Sequence, residues 1–166
     1  MNRSKKNIII LASSRSNGDT AKVVRQLQQI IDCDMVDLND YDISYYDYEH
    51  ANKDDDFLPL MKRIINDYQN VIFATPVYWY TMSGILKVFF DRISDLLTIE
   101  KDLGRQLRGK GFGAISCCMN GSIDQEFWHP FVKTAGYLGM RYLGNIHVDS
   151  LENLPLLEDF GNKIIT

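Results

Sequence analysis

Residues 7–12 read Asn-Ile-Ile-Ile-Leu-Ala, four large apolar side chains in unbroken succession. A strand with one wet face alternates apolar and polar residues. An uninterrupted β-branched run of this length instead reads as a strand covered on both faces, the mark of parallel α/β sheets. Residues 71–75 (Val-Ile-Phe-Ala-Thr) and 111–117 (Gly-Phe-Gly-Ala-Ile-Ser-Cys) repeat the pattern, and 34–38 and 141–148 supply two further candidate strands.

Between these runs the period changes. Val23, Val24, Leu27, Ile30 and Ile31 fall on one face of a helix, with Lys22, Arg25, Gln26 and Gln28 on the other. Phe57, Leu60, Met61, Ile64, Ile65 and Tyr68 form a second such face, and the aspartates at 54–56 suit its N-terminus. Leu86, Phe89, Phe90, Ile93 and Leu97 mark a third helix, expected over 83–97. A fourth is expected over about 124–138, with Pro130 delaying its start or kinking it. The tail after Asp149 predicts at most a stubby helix near 156–161.

Alternation of this kind predicts a three-layer α/β sandwich, with a five-stranded parallel sheet and helices on both faces. Right-handed crossovers favour the flavodoxin-like order 2-1-3-4-5. The 166 residues suit a single domain over 1–166. In that order the loops after strands one and three flank the switch point where ligands bind.

The formal net charge of −4 argues against nucleic acid or an anionic membrane as partner. Three cysteines, Cys33, Cys117 and Cys118, without C-x-x-C spacing indicate a reducing compartment. The apolar run behind the basic start is too short for a signal peptide, and no stretch approaches the ~20 apolar residues of a membrane span. Cytoplasm is the expectation. An anionic ligand would need a local positive pocket.

The loop after the first strand can supply one. Ser13-Ser14-Arg15-Ser16-Asn17-Gly18-Asp19-Thr20 joins a buried strand to an amphipathic helix. A phosphate there would meet unpaired N–H groups and the positive end of the helix dipole. Hydroxyls of Ser13, Ser16 and Thr20 add donors, Arg15 adds a charge-assisted contact, and Gly18 lets the backbone come close. The plainer reading is an S-x-x-D helix cap made by Ser16 and Asp19. Neither a Walker A loop nor a G-x-G-x-x-G turn is present.

The loop after the third strand is aromatic: Pro76-Val77-Tyr78-Trp79-Tyr80 leads into Thr81-Met82-Ser83-Gly84. Three consecutive aromatics cannot all pack inward, so planar surface should face a crevice suited to a flat ring. The alternative is packing on a neighbouring loop or a second subunit. Ser83 and Gly84 fit a helix start.

Together, S-S-R-S-N-G-D-T-A-K and T-P-V-Y-W-Y-T-M-S-G-I-L-K-V-F-F-D-R resemble the NAD(P)H-dependent FMN reductases, flavodoxin-like oxidoreductases that include quinone, flavin and azo-compound reductases. The resemblance covers residues 7 to about 121, the second motif being the more specific. It implies FMN as cofactor and NAD(P)H as co-substrate. Phosphate contacts would come from Ser13, Arg15, Asn17, Gly18 and Thr20, and ring contacts from Pro76, Val77, Tyr78 and Trp79. The loop at 118–121, with Asn120 and Gly121, would approach the other side of the ring. Ala12 stands where the family often has Gly, and Asp19 where Asn is common. The compact cysteine cluster of the iron-sulfur branch is absent.

Other residues invite plainer readings. Cys117 and Cys118 read as small thiols at a strand end, since adjacent cysteines rarely bridge. His50, His129 and His147 lack metal-ligand spacing. The aspartates at 54–56 read as a solvated helix start, and Asp91-Arg92 as an ion pair or interface feature.

The expected function is therefore an FMN-dependent NAD(P)H oxidoreductase passing two electrons to a quinone, flavin or similar small acceptor. The protein supplies position and polarity, and no catalytic side chain is singled out. The tyrosine-rich loop at 41–48 is the candidate for shaping the open ring face. The run Val88-Phe89-Phe90 points to a homodimer, as does the resemblance. The alternatives are a flavodoxin-type electron carrier without its own NAD(P)H turnover, docking through its acidic 40–56 segment, and a partner-binding domain that has lost the flavin.

Overall fold

The computed structural model describes residues 7–119 and 121–165. Ile8 and Ile10 of β1 (Asn7–Leu11) point to one face of the sheet and Ile9 and Leu11 to the other, all fully buried. Each such side chain taken out of water contributes roughly 1.5–3 kcal/mol. A run buried on both sides can only be a central strand. β1 indeed lies between β2 (Asp34–Asp37) and β3 (Asn70–Pro76), followed outward by β4 (Gly111–Cys117) and the edge strand β5 (Arg141–Val148). All pairings are parallel and the order is β2-β1-β3-β4-β5, as expected.

Helices α1 (Asp19–Ile30) and α7 (Leu154–Ile165) bring side chains to the Ile9 face. The Ile8 face is covered by α2 (Phe57–Asp67), α3 (Gly84–Arg92) and α6 (His129–Tyr137). Two short helices, α4 (Asp95–Thr98) and α5 (Lys101–Arg105), link α3 to β4.

Several elements differ from the expected bounds. β2 stops at Asp37, because that carboxylate accepts the Asn39 N–H and bends the chain into a 3₁₀ turn over Leu38–Asp40. β3 runs one residue further each way and includes Pro76, and the ladder continues past it as the Val77 N–H donates to the Cys117 carbonyl. The single helix expected over 83–97 is broken, tightening to three-residue turns at Ile93 and Ser94. The tail forms a full twelve-residue helix rather than a stub, because Leu157, Phe160, Gly161 and Ile164 make a continuous buried stripe. Gly161 lets α7 lie close on α1, since an added Cβ would stand 3.0 Å from Ile31 and 3.2 Å from Ile30. Pro130 does delay α6, which follows a 3₁₀ turn at Gln125–Trp128.

One irregularity interrupts the outer ladder. Phe112 pairs with Tyr142 but Gly113 pairs with Gly144, so Leu143 is an extra residue in β5.

The break after α3 has a cause in Arg92, which is fully buried. Its guanidinium bonds Asp55 and the Asp95 carboxylate (2.8 Å), lies 4.9 Å over the Phe57 ring, and reaches the Ser44 carbonyl at 3.1 Å. His50 bonds the other oxygen of Asp95 at 3.0 Å. The ion pair expected within Asp91-Arg92 is thus split: Asp91 binds Lys87, and Arg92 ties the long acidic loop to α3. The aspartates at 54–56 are correspondingly less solvated than expected, since Asp55 is buried in this pair. Burial raises the Asp55 carboxyl, but hydrogen bonds from Arg92 and from the Ser44 and Phe57 N–H groups outweigh it and hold it below the usual range. A depressed carboxyl stabilises the fold above the unfolded value of about 4, and this contribution fades as pH falls through the folded value.

Replacing Arg92 by Met leaves two buried carboxylates without a cation, an expected loss of about 3–5 kcal/mol in urea unfolding at pH 7. The wild-type midpoint should fall as pH drops below about 4. In the variant the buried carboxyls gain by taking up protons, so its midpoint should rise on acidification. Parallel pH profiles would show that Arg92 does not set this dependence.

Candidate functional site

At the carboxyl edge, the end of β1, the start of α3 and the end of β3 meet on one buried hydroxyl. Ser83 Oγ donates to the Ala12 carbonyl (2.6 Å) and accepts from the Leu86 N–H (3.2 Å), capping α3 as expected. Its own N–H donates to Thr75 Oγ1 at 2.9 Å. The loops after β1 and β3 therefore leave from a common fixed point.

In the first of these loops three of the carbonyls between Ser13 and Asn17 are spoken for. Asn39 Nδ2 holds the Ser13 carbonyl (2.6 Å), the Gly18 N–H holds that of Arg15 (3.3 Å), and Arg25 Nη2 holds that of Ser16 (3.2 Å). The N–H groups of Ser14, Ser16 and Asn17 bond nothing among the described residues, and the first turn of α1 adds its own orphan donors. Ser14, Arg15, Ser16 and Asn17 are exposed, and the Arg15 guanidinium makes no hydrogen bond among the described residues. A loop that turns its acceptors inward and its donors outward fits an acceptor-only group such as a phosphate.

The Ser16–Asp19 cap is not formed: Gly18 is the N-cap residue and no side chain caps α1. Gly18 has an ordinary extended conformation, and its value is space, because it lies beneath Arg15 with 3.3 Å from an added Cβ to that side chain. The Asp19 carboxylate bonds Lys22 at 2.8 Å, which holds its carboxyl below the usual range and offsets its charge. Thr20 is buried, and hydrogen bonding from it acts to lower the pKa of the Cys117 thiol. Burial nonetheless pushes that thiol up to about 11, so Cys117 stays protonated and inert at neutral pH.

The aromatic loop is joined to this one directly. Tyr78 OH and Ser14 Oγ share a hydrogen bond of 2.8 Å. Pro76 is buried as the last residue of β3, Val77 is half-buried, and Tyr78 and Thr81 exchange both backbone hydrogen bonds (2.9 and 3.1 Å) across a two-residue turn. Trp79 and Tyr80 occupy that turn, 91% and 83% exposed, with φ of 48° and 66°. At that exposure they pack on no neighbouring loop among the described residues.

The third loop closes a tight turn in which the Gly121 N–H donates to the Cys118 carbonyl at 3.1 Å. An added Cβ at Gly121 would stand 2.6 Å from Cys118 Sγ, so a larger residue there requires the Cys118 side chain to move. His147 Nε2 lies 3.0 Å from the Gly121 carbonyl, and its Nδ1 lies 2.8 Å from Ser116 Oγ. The carbonyl can only accept, so Nε2 carries the proton and Nδ1 accepts from Ser116. Asn120 lies outside the described residues.

Asn39, Arg25 and His147 had no signal in the sequence as partners of these loops. Asn39 sits in an aperiodic stretch, and His147 was readable only as a histidine without metal-ligand spacing. Among the described residues no group of acidic, histidine or cysteine side chains could hold a metal ion. Tyr41 and Tyr45 line, with Ile85 and Val88 of α3, a cavity of about 440 Å³ beside the phosphate loop, while Tyr48 points to solvent.

The sequence pattern of the family described as NADPH-dependent FMN reductase matches residues 6–149. YwqN of Bacillus subtilis, by its name an NAD(P)H-dependent FMN-containing oxidoreductase, is 36% identical over 152 residues, 83% of this chain and 81% of its own length. Among solved structures, the Trp repressor binding protein of Bacillus subtilis superposes with a TM-score of 0.73 at 23% identity, covering 95% of this chain and 98% of that one. The two-electron reduced flavodoxin of Megasphaera elsdenii gives 0.56 at 15% identity over 95% and 97% of the two chains. The fold is flavodoxin-like, and the chain belongs to the NADPH-dependent FMN reductase family, with FMN as its cofactor and NAD(P)H as its electron donor.

Proposed function

We propose that this chain is an NAD(P)H-dependent FMN reductase that passes two electrons to a quinone, free flavin or similar small acceptor, working as one domain over 1–166 in the cytoplasm. The observation that carries the reading is the junction of a loop rich in free N–H donors with an aromatic loop through Ser14 and Tyr78. Ser13, Arg15, Asn17 and Gly18, with the first turn of α1 at Thr20, would hold the FMN phosphate. Pro76, Val77, Tyr78 and Trp79 would flank the ring, with Asn120 and Gly121 opposite. When bound, FMN supplies the two-electron chemistry that the side chains lack. The chain's own work is to orient the ring and to keep one face of it open. Among the described residues no helix is long and apolar enough to cross a membrane.

We further propose a homodimer, on different residues from those expected. Phe89 is buried, and Phe90 packs against Phe73, Phe112 and Phe131, so neither is spare. The surface we assign to it instead is that of the exposed Leu97, Ile99, Val132 and Tyr137, on α4, α6 and the chain just beyond α4. Light scattering at micromolar concentration should give twice the chain mass, and a monomer there would end the idea.

Steady-state assays with NADH or NADPH should show turnover with a benzoquinone or free flavin as acceptor. An FMN-loaded protein that oxidises neither nucleotide would point to the electron carrier instead, and a protein that binds no FMN to the flavin-free domain.

The phosphate assignment predicts that Arg15→Ala weakens FMN binding by roughly 1.5–3 kcal/mol, the usual worth of a hydrogen bond to a charged group. Riboflavin, which lacks the phosphate, should be indifferent in the same fluorescence titration. Equal losses for both ligands would place the phosphate elsewhere.

The turn makes a separate prediction. A left-handed non-glycine residue costs roughly 1–2 kcal/mol, and Trp79 recovers none of it by burial. Trp79→Gly should therefore raise the melting temperature of the apo-protein while weakening FMN binding. Destabilised apo-protein would mean that Trp79 serves the fold rather than the ring.

A further inference from the structure

Asn39 stands outside the phosphate loop, one strand away, yet it touches the loop at two points. Its side-chain amide donates to the Ser13 carbonyl at 2.6 Å, and the same nitrogen lies 3.3 Å from Ser16 Oγ. The amide is itself held in place by Asp37, whose Oδ1 accepts from Asn39 Nδ2 (2.9 Å) and from the Asn39 N–H (3.0 Å). Asp37 is buried at the end of β2, so this carboxylate is a fixed anchor.

The contact to Ser13 has a chemical consequence for the loop. A trans peptide is planar, and its C=O and N–H point in opposite directions. With the Ser13 carbonyl drawn toward Asn39, the Ser14 N–H is turned away from it. Ser13 is buried, so without Asn39 that carbonyl would lack a partner among the described residues and the peptide would have reason to flip. The two N–H groups of the amide are spent on Ser13 and on Asp37, so the peptide, not the Ser16 hydroxyl, is what Asn39 sets. The Ser13 hydroxyl is set separately: its Oγ accepts from the Arg15 N–H at 3.3 Å, which leaves its own proton to be donated elsewhere. The Ser14 N–H is thereby presented as a donor, the polarity an acceptor-only ligand requires.

We infer that Asn39, anchored by Asp37, is a positioning residue that sets the donor polarity of the phosphate loop from the end of β2. The inference rests on the reading that this loop takes the FMN phosphate. Asn39 acts through the Ser13–Ser14 peptide and is not a catalytic residue.

The test compares Asn39→Ala with Arg15→Ala in titrations of FMN and of riboflavin, with apo-protein melting as a check on the fold. Asn39→Ala should raise the FMN dissociation constant about tenfold, equivalent to the ~1.4 kcal/mol of one lost hydrogen bond. The riboflavin constant should stay within about twofold, because a misplaced phosphate loop leaves the ring contacts alone. A role in general stability would move both ligands together. If Asn39→Ala does not fold, Asn39→Ser keeps one donor there, and its smaller loss should again fall on FMN alone. If Arg15→Ala discriminates between the ligands but the Asn39 variants shift both or neither, the inference is overturned and the phosphate assignment stands. If neither position discriminates, the phosphate assignment itself falls and takes the inference with it.

Discussion

At the top of β1 the ladder runs out of partners, and the Ala12 carbonyl is satisfied by a hydroxyl from another element, that of Ser83. A buried carbonyl left unpaired costs about 1–3 kcal/mol, so the contact is close to obligatory. The same hydroxyl caps α3, and the same residue's N–H is held by Thr75. One residue thus fixes the end of β1, the end of β3 and the start of α3 relative to one another, the first and last through its hydroxyl and β3 through its N–H. The loop after β1 and the aromatic loop both hang from it, and Ser14 and Tyr78 meet between stems held in register.

Around that point the molecule resolves an electrostatic difficulty. The chain is acidic overall, yet the family's cofactor carries a phosphate. The answer lies less in net charge than in direction. Carbonyls of the loop are taken up by Asn39, Arg25 and the loop's own backbone, and Asp19 is neutralised locally by Lys22. What faces outward is a set of N–H groups with one guanidinium. The acidic surface lies elsewhere, in the loop that Arg92 draws against α3.

The strands and their order were legible because hydrophobic period survives in any central strand: 7–12, 71–75 and 111–117 can be covered on two faces or not folded at all. The phosphate and aromatic loops were legible through composition and through the switch point that strand order creates. What escaped was set by long-range partners. Arg92 reads as the neighbour of Asp91 but bonds Asp55, 37 residues away, and the break after α3 follows from that choice. The α7 stripe was visible at 157, 160, 161 and 164, yet Gly161 lowers helix propensity, and only contact with Ile31 explains it. The left-handed conformation of Trp79 and Tyr80 could not be foreseen, since bulky residues avoid it. His147 gained its partners through the fold alone.

The extra residue in β5 governs more than the shape of an edge strand. Side chains along a strand alternate between faces, so one additional residue inverts everything after it. Tyr142, before the bulge, faces the α2, α3 and α6 layer, while Ile146 and Val148, after it, face α1 and α7. His147 consequently meets Ser116 and the Gly121 carbonyl on the side where the third loop lies. Leu143 works like a spacer in a reading frame: its identity matters little to the loop, but its presence decides which way the histidine looks. Loop geometry on this side of the site is therefore far more exposed to single-residue insertions and deletions in β5 than to substitutions there.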